Sequence, residues 1–149
     1  MPPRLARTLL CIDDRSHMLR LRETLLTKFG FVVISATNAA VALRKLENCA
    51  VDAVLLEYTP EGLDAEAIAF QIKQEFPLEP IVLLSAVCEM PQRILWLVDE
   101  YVMKSESIDG LVKAIERVLA APAEVRKPCV GRVIAFNGQS TRGADVKRA

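Results

Sequence analysis

The chain has 149 residues, enough for one domain with a real core, since a chain of this size buries about two-thirds of its unfolded surface. Hydrophobic residues make up 52% and charged residues 26%, which argues for a globular, soluble protein and against disorder overall. Net charge is zero but uneven: residues 121–149 hold six bases and two acids, the first 120 thirteen bases and seventeen acids.

Short β-rich runs alternate with helical patterns. Strands are expected at Thr8–Ile12, Phe31–Ser35, Ala53–Leu56, Ile81–Ser85 and Tyr101–Met103. The runs at 9–12, 31–34, 53–56 and 81–84 are continuously apolar, as befits parallel strands covered on both faces. Between the first two, Met18, Leu21, Leu25 and Phe29 form a core-facing helical stripe, with Gly30 as C-cap. Leu43 and Leu46 anchor a second helix, opened by Thr37 or Asn38. Ala65, Ile68, Ala69, Ile72 and Phe76 mark a third, closed by Pro77. A fourth covers 92–98. The last, through Ile108, Leu111, Val112, Ile115, Val118 and Leu119, has the cleanest helical period.

Five βα units argue for a doubly wound α/β sheet, flavodoxin-like, with strand order 2-1-3-4-5 and right-handed crossovers. The pattern stops after Ala121. Residues 1–121 are read as the domain and 122–149 as a basic, Pro/Gly-containing tail with one candidate strand, Val130–Phe136, too short to be an output domain.

Several classes of function are disfavoured. Apolar stretches reach only about five residues, so nothing spans a membrane, and Asp13 and Asp14 interrupt too early for a signal segment. A cytoplasmic location is expected. The four cysteines, Cys11, Cys49, Cys88 and Cys129, lie far apart with no His cluster, which reads as reduced thiols rather than a zinc or redox motif. No nucleophilic triad, P-loop or dinucleotide fingerprint is present. Six scattered bases without interleaved aromatics make nucleic-acid binding by the tail a minor reading.

In open α/β sheets, ligands bind beyond the carboxyl ends of the strands, where strand order reverses. Asp13 and Asp14 follow the first strand there, Glu57 the third, Ser85 ends the fourth and Lys104 follows the fifth. Three converging carboxylates repel unless a cation relieves them. Lys104 supplies one charge, and an oxygen-rich set suits Mg²⁺.

This order of residues resembles the receiver domain of two-component response regulators (CheY-like) over about residues 7–120. Leu9-Leu10-Cys11-Ile12-Asp13-Asp14 is similar to the family's first strand and acidic pair. Val54-Leu55-Leu56-Glu57 is similar to its third strand and acceptor, with Pro60 and Gly62 in the following turn. Ile81–Ala86 corresponds to the fourth strand, and Tyr101-Val102-Met103-Lys104 to the fifth, with its aromatic switch residue and lysine. The resemblance implies that Asp13, Asp14, Glu57 and the Thr59 carbonyl form the metal site, that Glu57 holds the phosphoacceptor position, and that Ser85, Tyr101 and Lys104 read the phosphoryl group.

The family's acceptor is Asp, and Glu carries its carboxylate about 1.5 Å further, where a misplacement of about 1 Å can cost on the order of a hundredfold in rate. The turn to Pro60 is one residue short, Ser105 replaces the usual Pro, and Val87–Glu100 is slightly short. Metal binding is therefore expected to be weak or lost, with no cofactor required. A stand-alone pseudo-receiver that binds a protein partner and is not an enzyme follows; a working Mg²⁺-dependent phosphoacceptor and a nucleic-acid accessory protein are the alternatives.

Ile94-Leu95-Trp96-Leu97-Val98 is apolar for five residues, more than one face of a short helix buries. Ile94, Trp96 and Leu97, beside the fifth strand and last helix, are thus expected to meet a partner, whether a second copy, a histidine kinase or another signalling protein. The alternative cover is the tail, through Val133, Ile134 and Phe136.

Overall fold

A computed structural model of the chain describes residues 6–87, 89–104 and 107–120. The tail at 122–149 and the Ser105 junction lie outside the described residues. The strands are β1 (Thr8–Ile12), β2 (Val32–Ala36), β3 (Ala53–Tyr58), β4 (Ile81–Ser85) and β5 (Glu100–Met103). Between and after them run α1 (Ser16–Thr27), α2 (Ala39–Asn48), α3 (Ala65–Glu75), α4 (Gln92–Leu95) and α5 (Ile108–Ala120). All strand pairs are parallel, in the order β2-β1-β3-β4-β5. This is the expected doubly wound, CheY-like arrangement.

The continuous apolar strands are explained by a core on each side of the sheet. Successive side chains point to opposite faces. Leu9, Cys11, Leu55, Val82, Leu84 and Val102 face Leu19 and Leu26 of α1 and Leu111 and Ile115 of α5. Leu10, Ile12, Val54, Leu56, Ile81 and Leu83 face α2, α3 and Ile94 of α4. Deep burial raises the Cys11 thiol to about 12, so it stays an inert, protonated packing group. β2 departs from expectation: Val32 is exposed and Val33 and Ile34 are half-buried, because β2 is an edge strand.

Helix ends follow local chemistry. The Asn38 side chain accepts the Val41 amide and Asp64 that of Ala67, each capping a helix start. After α1, Gly30 takes φ +90, a left-handed conformation that costs glycine little, and its amide donates to the Thr27 carbonyl. Asp99 ties the second layer together: its Oδ2 accepts from Lys73 Nζ at 3.0 Å and from the Ile81 amide at 2.8 Å.

Two expectations are corrected here. The buried face of α1 is Leu19, Arg22 and Leu26, while Leu21 and Phe29 are exposed. The 18/21/25/29 stripe skipped the true face because a charged residue stands in its middle. Next, the region 92–98 contains only one helical turn, Gln92–Leu95, so the apolar run is not spread around a helix. Ile94 and Val98 are fully buried against the sheet, and Ile94 is core rather than interface. Trp96 remains 42% exposed and Leu97 half-buried.

Ile94→Ala should therefore lower the unfolding free energy by about 2–5 kcal/mol, the usual cost of emptying a core site. Trp96→Ala should change it by roughly 0.5 kcal/mol or less. Urea denaturation of both variants checks the assignment.

Candidate functional site

Strand and helix periodicity put charged side chains where apolar ones would otherwise sit. Cys11 and Leu55 belong to the face covered by α1 and α5. Two residues further along each chain, Asp13 and Glu57 fall on that same face at the carboxyl end of the sheet. Arg22 occupies the core-facing stripe of α1, three residues after Leu19 and four before Leu26. Asp13, Arg22, Glu57 and Ser85 are the buried polar or charged residues among those described.

Glu57 is inside β3, one residue before its end, opposite Leu84. It is 3% exposed and surrounded by cations. Lys104 Nζ lies 2.6 Å from Oε2, the Arg22 guanidinium 3.4 Å from Oε1, and that of Arg15 3.5 Å from Oε2. Lys104 stands at hydrogen-bonding distance of Oε2, while the two guanidinium groups act on Glu57 mainly as charges at close range. Burial is the largest influence on the Glu57 carboxyl and raises its pKa above 4.5, against the opposing pull of Lys104 and Arg22.

Asp13 is fully buried. Its Oδ1 accepts the Arg15 amide at 2.9 Å and Arg15 Nε at 3.2 Å, and its Oδ2 accepts the second arm of Arg15 at 3.3 Å. Arg22 approaches the same Oδ2 at 3.8 Å. The side-chain bond to Asp13 raises the already high pKa of Arg15. Arg15 and Arg22 thus each span Asp13 and Glu57.

The remaining expected site residues are placed differently. Asp14 is exposed and leans toward the β3–α3 turn, where a Cβ on Gly62 would meet its carboxylate at 3.4 Å and collide with Thr59 Oγ1. A side chain at position 62 would have to displace the Thr59 hydroxyl. The Thr59 carbonyl accepts the Gly62 amide at 3.1 Å, closing the turn. Ser85 is buried, and its hydroxyl is engaged by Val87, accepting the amide at 3.0 Å and facing the carbonyl at 3.2 Å. The half-buried Tyr101 donates its hydroxyl to that same carbonyl at 2.8 Å. Lys104 is positioned by its amide, which donates to the Ser85 carbonyl at 2.8 Å.

The structure therefore unites Asp13, Glu57 and Lys104, leaves Asp14 outside and keeps Ser85 on backbone partners. Sequence reasoning missed Arg15 and Arg22. A signal did exist for Arg22: a cation between Leu19 and Leu26 on an otherwise apolar helical face needs a buried acid.

The raised Glu57 pKa fixes the sign of a pH effect. The folded state binds this proton more tightly than the unfolded chain, so the Glu57 contribution to stability is complete below about 4.5. It is lost as pH rises through the folded-state value and is flat above it. The difference in unfolding free energy between wild type and Glu57→Gln should decline across that acidic window and then level off, as measured by urea denaturation at stepped pH.

Comparison with known proteins agrees with this geometry. Residues 9–116 match the family model of the response regulator receiver domain. The alkaline phosphatase synthesis transcriptional regulatory protein PhoP of Bacillus subtilis is 30% identical over 129 residues, covering 81% of this chain and 54% of that protein. The chain spans about half the length of the curated relatives it matches. Among solved structures, response regulator TrrA of Thermotoga maritima, in complex with Mg(2+)-BeF, superposes with a TM-score of 0.69 at 27% identity, covering 76% of this chain and 99% of that one. TrrA in complex with histidine kinase ThkA gives a TM-score of 0.68 at the same identity and coverage. With the family model matching residues 9–116 and the strand order in agreement, the chain belongs to the response regulator receiver domain family.

Proposed function

We propose that this chain is a pseudo-receiver: a protein-binding regulatory module of two-component signalling that is not phosphorylated and is not itself an enzyme. The observation that carries this reading is the environment of Glu57. Its carboxylate stands at the acceptor position already held by Lys104 at 2.6 Å and flanked by two guanidinium groups. A phosphodonor would need an accessible nucleophilic oxygen, and both Glu57 oxygens are buried. The charge that Lys104 pairs with in a phosphorylated receiver is supplied here by the chain itself. Imitation of the phosphoryl group is partial, because a carboxylate has one negative charge where a phosphoryl group has nearly two and three acceptor oxygens.

Tyr101 and Ser85 meet at Val87, so the surface formed by the β4–α4 connection and β5 is coupled to the site through backbone. Trp96, exposed just after α4, is the anchor we propose for a protein partner, together with Leu97, β5 and α5. The relative TrrA is found with a histidine kinase, and a kinase or another signalling protein is the partner class favoured here. Among the described residues no helix is long and apolar enough to cross a membrane. A cytoplasmic location is part of the proposed signalling role. Its basic tail is given no role in nucleic-acid binding. No cofactor is required.

Two measurements test this reading. Incubation with acetyl phosphate and Mg²⁺ should leave the intact mass unchanged; a phosphate-mass shift that disappears in Glu57→Ala would restore the working phosphoacceptor. Partner affinity should be independent of a kinase and should drop about tenfold in Glu57→Gln, equivalent to about 1.4 kcal/mol. Equal affinity for the two proteins would mean that the buried charge has no part in recognition.

A further inference from the structure

Receiver relatives take a divalent ion, and the TrrA structure is a complex with Mg(2+)-BeF. The donor set in this chain does not fit one. Mg²⁺ demands about six oxygens in near-ideal octahedral geometry at roughly 2.1 Å. Both Asp13 oxygens are occupied by arginine, the Thr59 carbonyl closes a turn on the Gly62 amide, and Asp14 lies on the exposed rim. Among the described residues no group of three or more Asp, Glu, His or Cys side chains is gathered closely enough to hold a metal.

We propose that Arg15 and Arg22 are the resident cations of this site, taking over the charge of the divalent ion and closing the site to Mg²⁺. Each guanidinium bridges Asp13 and Glu57, two of the three acids expected to hold a metal. Arg22 lies 3.8 Å from Asp13 Oδ2 and 3.4 Å from Glu57 Oε1. Arg15 is 3.2 Å from Asp13 Oδ1 and 3.5 Å from Glu57 Oε2. With Lys104 added, three cations face the two buried carboxylates of Asp13 and Glu57, so their charge is already compensated with no metal. A divalent ion entering the site would be repelled by three neighbours at short range. Arg22 cannot readily withdraw, because its side chain is only 10% exposed and projects from the core-facing stripe of α1 between Leu19 and Leu26. The planar fork of arginine suits this bridging, where a lysine would reach one acid at a time.

This inference deepens the pseudo-receiver reading and rests on it for the site's silence toward phosphodonors. Its test uses neither a phosphodonor nor a partner, so the two can fail separately. The experiment is Mg²⁺ titration of the full chain by calorimetry, together with the Mg²⁺ dependence of the thermal midpoint. Wild type should show no saturable heat and no midpoint shift up to roughly 10 mM, weaker than any site with a dissociation constant near 1 mM. Arg15→Ala and Arg22→Gln should each acquire saturable binding, tightened by at least about tenfold over wild type. Arg15→Lys, which keeps a positive charge at the rim, should bind less than Arg15→Ala. Should Arg22→Gln fail to fold, Arg15→Ala decides alone, since the Arg15 side chain is 38% exposed. Saturation of wild type below about 1 mM would overturn the proposal. So would folded arginine variants that bind Mg²⁺ no better than wild type.

Discussion

A buried cluster of opposite charges, Glu57 with Lys104 and Arg22, and Asp13 with Arg15 and Arg22, is the constraint on which the rest of the site depends. Taking ions out of water costs several kcal/mol each, and mutual attraction offsets this only when every member finds partners. The buried members, Asp13, Glu57 and Arg22, therefore depend on one another for compensation inside the fold. The cluster fixes the rotation of α1 against the sheet, because Arg22 must face inward. It also fixes the end of β5, because Lys104 must reach across to Glu57 of β3.

That constraint connects fold to function. A receiver that responds to phosphorylation needs an acid site whose charge balance is incomplete, so that a metal and a phosphoryl group can complete it. In the pseudo-receiver reading proposed above, the chain's own cations already compensate the two buried acids on folding. The extra methylene of Glu57 carries the carboxylate toward Lys104, and two guanidinium groups occupy the acids from the α1 side. The neighbouring backbone at Val87, held by Ser85 and Tyr101, then has no charge transition to follow. The proposed function accordingly rests on recognition by shape and fixed charge, with the exposed Trp96 as its proposed anchor.

Much of the fold was legible along the chain. Continuous apolar runs located four strands to within a residue or two at each end, and βα alternation implied the parallel order later found. The errors share a cause. The α1 stripe was misassigned because a periodicity search treats arginine as an outward residue, whereas Arg22 is buried by an acid some 35 positions away in sequence. The 92–98 region was read as a helix with a surplus face because apolar residues were counted without knowing where the chain turns. One helical turn and a bend bury Ile94 and Val98 and leave Trp96 outside. β2 looked doubly covered because edge position is a property of the sheet, not of its own residues.

The sequence by itself determined the layer architecture, the carboxyl edge as the place of the site, and the identities of Asp13, Glu57 and Lys104 within it. These follow from period-two strands, period-3.6 helices and the rule that ligand sites lie beyond strand ends. Only the tertiary structure decided that Asp14 is exposed, that the Ser85 hydroxyl is held by Val87 and that Arg15 and Arg22 bridge the acids. The reason is physical. Local pattern encodes which face a side chain takes, but the partner of a buried charge is chosen by elements distant in sequence, and only their packing brings the two within a few ångströms.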